Sequence, residues 1–351
     1  MVHHPHATRD NGPETRRIQM LKTCTLAGVG LTAVLLFVAP SVRAQSGDGT
    51  PMRTPDGHPH ISGTFTFRTL TPMQRPAQFE GQETLNPEEA AAFEASERTR
   101  QNRDLFDPET GQPSAGYQPR EAGGVLSYNE FWYERGVELT ADKRTSLIVD
   151  PPNGRYPAMT DAGRRSGQER AAYRREHRYD SYENRGLGDR CIMFGKSGPP
   201  LRPGAYNNNL MIFQTADHVA IFTEQSRMAR IIPLDDTPAP AFDQFTGVSR
   251  GHWDGETLVI ETTQIRDWGD GRHGPSMHLV ERLTRLDPDT IAYDYTVTDP
   301  SVYTAPFTVM MPLRRTEGPL FEYACHEGNI GLHGILAGAR NLERLGRELR
   351  P

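Results

Sequence analysis

Cysteine is scarce in this chain, with three in 351 residues, at positions 24, 191 and 325. No C-x-x-C and no H-E-x-x-H occurs, so the close ligand pairs typical of zinc sites are missing. "HPH" at His58 to His60 sits between turn residues and reads as a surface loop, and "CHE" at 325 to 327 is too little for a metal. The spacing G-x-S-x-G occurs once, at Gly247 to Gly251, but within a strand-like segment rather than at the strand-to-helix elbow that a serine nucleophile needs, and there is no P-loop. Neither a metal nor any other cofactor is therefore expected. Positive charge is not in surplus either: 39 Lys and Arg stand against 45 Asp and Glu, a net charge of −6, which argues against a nucleic-acid partner.

Long apolar runs are also lacking. The longest, "LAGVGLTAVLLFV" (Leu26 to Val38), is too short to span a bilayer. It follows Arg16, Arg17 and Lys22 and ends in Pro40 and "SVRA", which places small residues, Val42 and Ala44, where a signal peptidase reads them. Residues 1–44 are thus expected to be a signal peptide cut before Gln45, with Met20 as an alternative start. "TRRIQML" is only a loose twin-arginine pattern, because a Gln stands where an apolar residue belongs. Those 44 residues carry five Lys/Arg and two Asp/Glu, so removing them leaves 34 basic and 43 acidic residues, a net charge of −9. The expectation is a periplasmic or secreted protein without a membrane anchor. In that compartment the two remaining cysteines, Cys191 and Cys325, read as a disulfide.

What the chain has in quantity is turn-forming residues, 33 Gly and 28 Pro. In "HPHISGTFTF", Ile61, Gly63, Phe65 and Phe67 alternate on one face as an opening strand. "NPEEAAAFEASERTRQNRD" reads as a helix near 87–103, with Asn86 as N-cap and Pro87 at its first position. Phe106 to Arg120 reads as a loop, Ser146 to Val149 as a buried strand, and Asp161 to His177 as a polar, Arg-rich surface helix. From Tyr206 onward nine strand-like segments are separated by short turns, among them Asp254-Gly255-Glu256, "DPD" and "TEGP", and a helix near 332–349 closes the chain. The last of the nine is "LFEYACHE". Such a run predicts a mainly β single domain over 45–351, an antiparallel meander closing into a lipocalin-like barrel or strongly curled sheet with peripheral helices.

Period two sorts the strand residues by face. His278, Val280, Arg282 and Thr284 oppose Leu279, Glu281 and Leu283, and each face mixes apolar with polar groups, as the wall of a ligand-holding barrel does. In "FEYACHE", Tyr323, Cys325 and Glu327 share a side that His326 does not, unless the strand breaks at Gly328. "SGTF", "YNEFW", "SLIVDPP", "YNNN", "ARIIPL", "GHWDGETLVIETT", "HLVERLTR" and "YACHEGN", in that order, resemble a family of exported Gram-negative bacterial proteins. The resemblance implies a single exported domain and implies no reaction.

Acid, base and hydrogen-bonding groups on strands remain. His278 and His326 are candidate bases, with Tyr206, Arg282 and Tyr323 as candidate anion holders, for proton-transfer chemistry of a lyase or isomerase, decarboxylation included. Asn208, Glu224, Arg230, Glu281, Glu327 and Asn329 are candidate ligand contacts. The alternative is a periplasmic lipocalin-like carrier in which the same groups orient a small, partly apolar ligand without reacting.

Overall fold

The computed structural model describes residues 53–102, 130–195, 198–225, 228–266, 274 and 276–347. The expected signal peptide and the loop from Phe106 to Arg120 lie outside these residues.

The hairpin-rich stretch folds as the alternation dictates. The strands are β1 (Gly63–Thr66), β2 (Ile148–Asp150), β3 (Asn209–Gln214), β4 (His218–Thr223), β5 (Met228–Pro233), β6 (Val248–Asp254), β7 (Thr257–Thr263), β8 (His278–Arg285), β9 (Thr290–Thr298) and β10 (Phe307–Arg315). They form one antiparallel sheet in the order β5-β4-β3-β1-β10-β9-β8-β7-β6, with β2 added to β10. The sheet curls until its two edge strands meet, and β5 and β6 then lie side by side with no hydrogen-bonded ladder between them. The result is a nearly closed barrel with an unsealed seam. Gly251 on β6 allows the close approach, since a Cβ there would stand 3.0 Å from Ile232 Cγ2 of β5 and 2.7 Å from Leu234 Cδ2.

One face of the sheet is buried throughout. Phe65, Leu210, Ile212, Ile221, Leu258, Ile260, Leu279, Leu283, Tyr293, Tyr295, Val309 and Met311 form a continuous core. Strand register brings these positions together: Ile260 faces Glu281, Glu281 faces Tyr295, and Tyr295 faces Val309. At about 25 cal/mol per Å² of apolar surface, burying this wall is the main force that curls the sheet.

Three helices lie outside the barrel: α1 (Pro87–Gln101), α2 (Asp161–His177) and α3 (Ile330–Arg344). α1 begins as expected, with Asn86 Oδ1 accepting from Glu89 N at 2.9 Å and Glu89 Oε2 accepting from Asn86 N at 3.0 Å. It buries Ala90 and Phe93 in a second small core with Leu70, Leu85 and Leu139. α2 has the expected bounds and buries only Gly163, while Thr160 caps its start.

One expected element is absent. "LFEYACHE" is irregular from Leu320 to Ala324 and turns from Cys325 instead of forming a strand, so eight of the nine segments after Tyr206 are strands. Both edges of β10 are already taken, by β9 on one side and by β1 and β2 on the other, so no partner is left for a hairpin across "TEGP". Among the described residues no helix is long and apolar enough to cross a membrane.

Candidate functional site

The barrel interior holds two of the expected ligand contacts, and they bind each other. Arg230 of β5 reaches across to Glu281 of β8, with Nη1 donating to Oε2 at 2.6 Å and Nη2 to Oε1 at 3.1 Å. Tyr293 donates its hydroxyl to Glu281 Oε1 at 2.7 Å and accepts from Leu201 N at 3.2 Å. Glu281 is 0% exposed and Arg230 9%. Burial, reinforced by the Glu281 charge, pushes the Tyr293 phenol well above its ordinary range, and burial does the same for Tyr295. Both phenols therefore stay protonated near neutral pH. The cavity beside the Arg230–Glu281 pair, lined in part by Leu201, Ile221, Thr223 and Met228, measures about 10 Å³, room for a single water. At this level the interior is a packed, cross-linked core.

His278 and Arg282 lie on the opposite, outer face of β8, as period two requires. His278 Nε2 is 3.2 Å from Glu261 Oε2, and both side chains are about half exposed. Arg282 stands 3.7 Å from Asp254 and opposite Asp294 in the register. Burial raises the Asp294 carboxyl and Arg282 pulls it back. These are ordinary cross-strand charges on a solvated surface.

"YNNN" is a folding device. Asn207 has a φ of 53°, the left-handed turn geometry that Asn tolerates. Asn208 is fully buried and ties a turn, accepting from Gly204 N at 2.7 Å and donating to Glu134 O and Gly204 O. Asn209 donates to Glu134 and Glu224, each at 2.9 Å, and Glu224 also accepts from Phe321 N. Tyr206 lies 6.3 Å from the Tyr133 ring. Asn208 and Glu224, expected as ligand contacts, thus serve the backbone and neighbouring side chains.

Cys191 and Cys325 are disulfide-bonded, with Cα atoms 5.6 Å apart. Tyr323 packs its ring edge-on against Phe194. His326 and Glu327 are exposed, and neither side chain makes a hydrogen bond or ion pair among the described residues. Asn329 caps α3 through Leu332 N and donates to Asp189 O at 2.9 Å. His278 and Arg282 thus lie on the outer face of β8, whereas Tyr323 and His326 belong to the C-terminal segment held by the disulfide. No group of three or more potential metal ligands occurs among the described residues.

A different set of residues does converge. α2, the segment that follows it and the connections around β6 and β7 enclose an open cleft of about 700 Å³. Arg170 and Arg174, one helical turn apart on α2, share it with Arg185, Arg190 and Arg266. Tyr173 and Phe245 supply aromatic wall, and Glu169 and Glu183 are its two carboxylates. Five guanidinium groups against two carboxylates make a local surplus of positive charge in a chain of net charge −6. The side of the cleft formed by residues 179–191 is tied to the C-terminal region by the disulfide, by Asn329, and by Arg340, whose guanidinium donates to Tyr179 O at 2.9 Å and to Asp180 O at 3.0 Å. On the other side, Gln244 N donates to Gln264 O and Arg266 N to Gln244 O, which holds Phe245 beside Arg266.

Sequence reasoning missed this cleft and placed α2 simply on the surface. The available signal was the i, i+4 spacing of Arg170 and Arg174 with Tyr173 between them. The spacing G-x-G-x-x-G also occurs, at Gly269, Gly271 and Gly274, but the next element is β8, not the helix whose N-terminus a pyrophosphate requires.

No protein-family model matches the chain, and a search of curated proteins returns no match. The class of the protein is accordingly set by its own structure: a nearly closed antiparallel barrel with one disulfide and a basic cleft on its flank.

Proposed function

We propose that the protein is an exported small-ligand-binding protein whose ligand lies in the arginine-lined cleft beside the barrel rather than in its interior. The observation that carries this reading is the cleft itself. Its volume of about 700 Å³ falls in the range of small-molecule sites. Its walls combine aromatic surface with charged groups suited to orienting a ligand, and a disulfide and the Arg340 side chain, donating to backbone carbonyls, anchor one side. The disulfide fits an exported protein.

Binding is favoured over lyase or isomerase chemistry by the placement of the bases. His278 lies on the outer face of β8 beside the exposed Glu261, His326 is exposed, and the interior phenols are held protonated. Glu281, the interior carboxylate, already accepts three hydrogen bonds.

The test is a small-molecule screen by ligand-observed NMR, repeated on Gly186→Trp. Gly186 lines the cleft, and a Cβ there meets only Asp189 Oδ2, at 4.0 Å, so the indole enters open space. Hits on the native protein that vanish in Gly186→Trp are expected. Hits that survive the substitution unchanged would overturn the assignment.

A further inference from the structure

The charge pattern of the cleft goes beyond its existence and narrows its ligand. Arg174, Arg190 and Arg266 form no ion pair among the described residues. Arg190 instead lies 5.7 Å over the Tyr182 ring and Arg266 5.1 Å over Phe245. Arg185 is deeply set, with a side chain 10% exposed. It pairs with Asp189 at 2.8 Å, yet its Nε is buried without a partner. Burying a donor without an acceptor costs free energy unless a ligand supplies one. Guanidinium groups present flat, forked donors that match carboxylate and phosphate oxygens, and they also stack on aromatic faces.

From this cluster we infer that the cleft takes a small dianion with a flat, apolar body, the class of aromatic dicarboxylates and aryl phosphates. This rests on the binding reading above and specifies the ligand of the same site. The acidic groups meet Arg174, Arg190 and Arg266, and the ring lies against Tyr173. Glu169 and Glu183, which also line the cleft, disfavour more extensively charged polyanions, and their repulsion limits the number of acidic groups the cleft accepts.

The experiment is isothermal titration of the disulfide-bonded mature protein with four probes: benzene-1,2-dicarboxylate, phenyl phosphate, benzyl alcohol and benzamidine. The expected result is binding of the two dianions, weakened by added salt, with no binding of the neutral and cationic probes. Arg174→Gln and Arg266→Gln should each weaken dianion binding about tenfold, the loss of one charge-assisted hydrogen bond. Arg165→Gln, on the exposed part of α2 away from the cleft, should leave it unchanged, and all three variants should match the native melting temperature. If benzyl alcohol binds as tightly as the dianions and Gly186→Trp abolishes it, the anion assignment falls while the binding cleft stands. If none of the probes binds and the wider screen also yields no hit sensitive to Gly186→Trp, both fall. Dianion binding that is indifferent to Arg174→Gln and Arg266→Gln overturns the inference as well.

Discussion

The Arg230–Glu281 pair offers the sharpest test of how the barrel is held. Replacing Glu281 with Met strands a guanidinium that is 91% buried and takes the acceptor from Tyr293; replacing Arg230 with Met strands a carboxylate with no exposure at all. Breaking one side of a buried ion pair costs about 3–5 kcal/mol, because the remaining charge stays desolvated and unpaired. Making both changes removes both charges. The double variant should recover most of the loss and retain only the penalty of the Tyr293 hydroxyl, about 1–3 kcal/mol, offset by the added apolar packing. Simple addition would instead give about 6–10 kcal/mol, so a cycle of the four proteins separates the outcomes widely. Urea unfolding of the oxidised protein, with the slope unchanged across the set, supplies the free energies. Single losses under about 1 kcal/mol, or an additive double variant, would refute the account of a charge cross-link through a buried interior.

Other outcomes follow from the same structure. The disulfide closes a loop spanning 134 residues, for which the chain-entropy model gives about 5 kcal/mol; the Cys191→Ala/Cys325→Ala variant should lose a stability of that order in urea, and a loss near zero would contradict it. Gly247 has a φ of +68°, and a Cβ there would stand 2.6 Å from Ile265 Cγ1 and 2.7 Å from Thr263 O, so Gly247→Ala should destabilise by about 1–3 kcal/mol in the same assay. Two groups illustrate the acid side. Burial raises the Glu94 carboxyl, but the Leu139 amide, Lys143 and Arg98 lower it further, to a net position below its ordinary 4.5. Its contribution is thus complete above that value and is lost as pH falls below it. Burial, then Arg285 and Arg315, lower the His60 imidazole from 6.5, so the unfolded chain takes up this proton first and stability declines as pH falls below 6.5. Melting temperatures from pH 7.5 down to pH 3.5 should fall through both windows, the upper step vanishing in His60→Gln and the lower shrinking in Glu94→Gln.

Much of the fold was legible because local chemistry and tertiary need coincide. Asn86, Pro87 and Glu89 specify the start of α1 without outside help, and the alternation of Leu279, Glu281 and Leu283 against His278, Val280 and Arg282 separates the inner from the outer face of β8. "LFEYACHE" misled because Phe321, Tyr323 and Cys325 alternate as a strand would. Whether a strand forms depends on a free partner edge, and β10 had none. The candidate site was less legible. Glu281 and Arg230 look like ligand contacts until the barrel closes and sets them against each other. The cleft draws on residues 169–174, 183–190, 245 and 266, and their convergence depends on the path of the chain around the barrel, which no local spacing encodes.

The most direct test of the central claim, that the ligand lies beside the barrel and not within it, is the pattern of amide shifts in a ¹⁵N-labelled sample titrated with benzene-1,2-dicarboxylate. The account predicts saturable shifts at Arg174, Arg185, Arg190 and Arg266, with Leu279, Glu281 and Tyr293 unmoved. Shifts confined to Leu279, Glu281 and Tyr293 would contradict it.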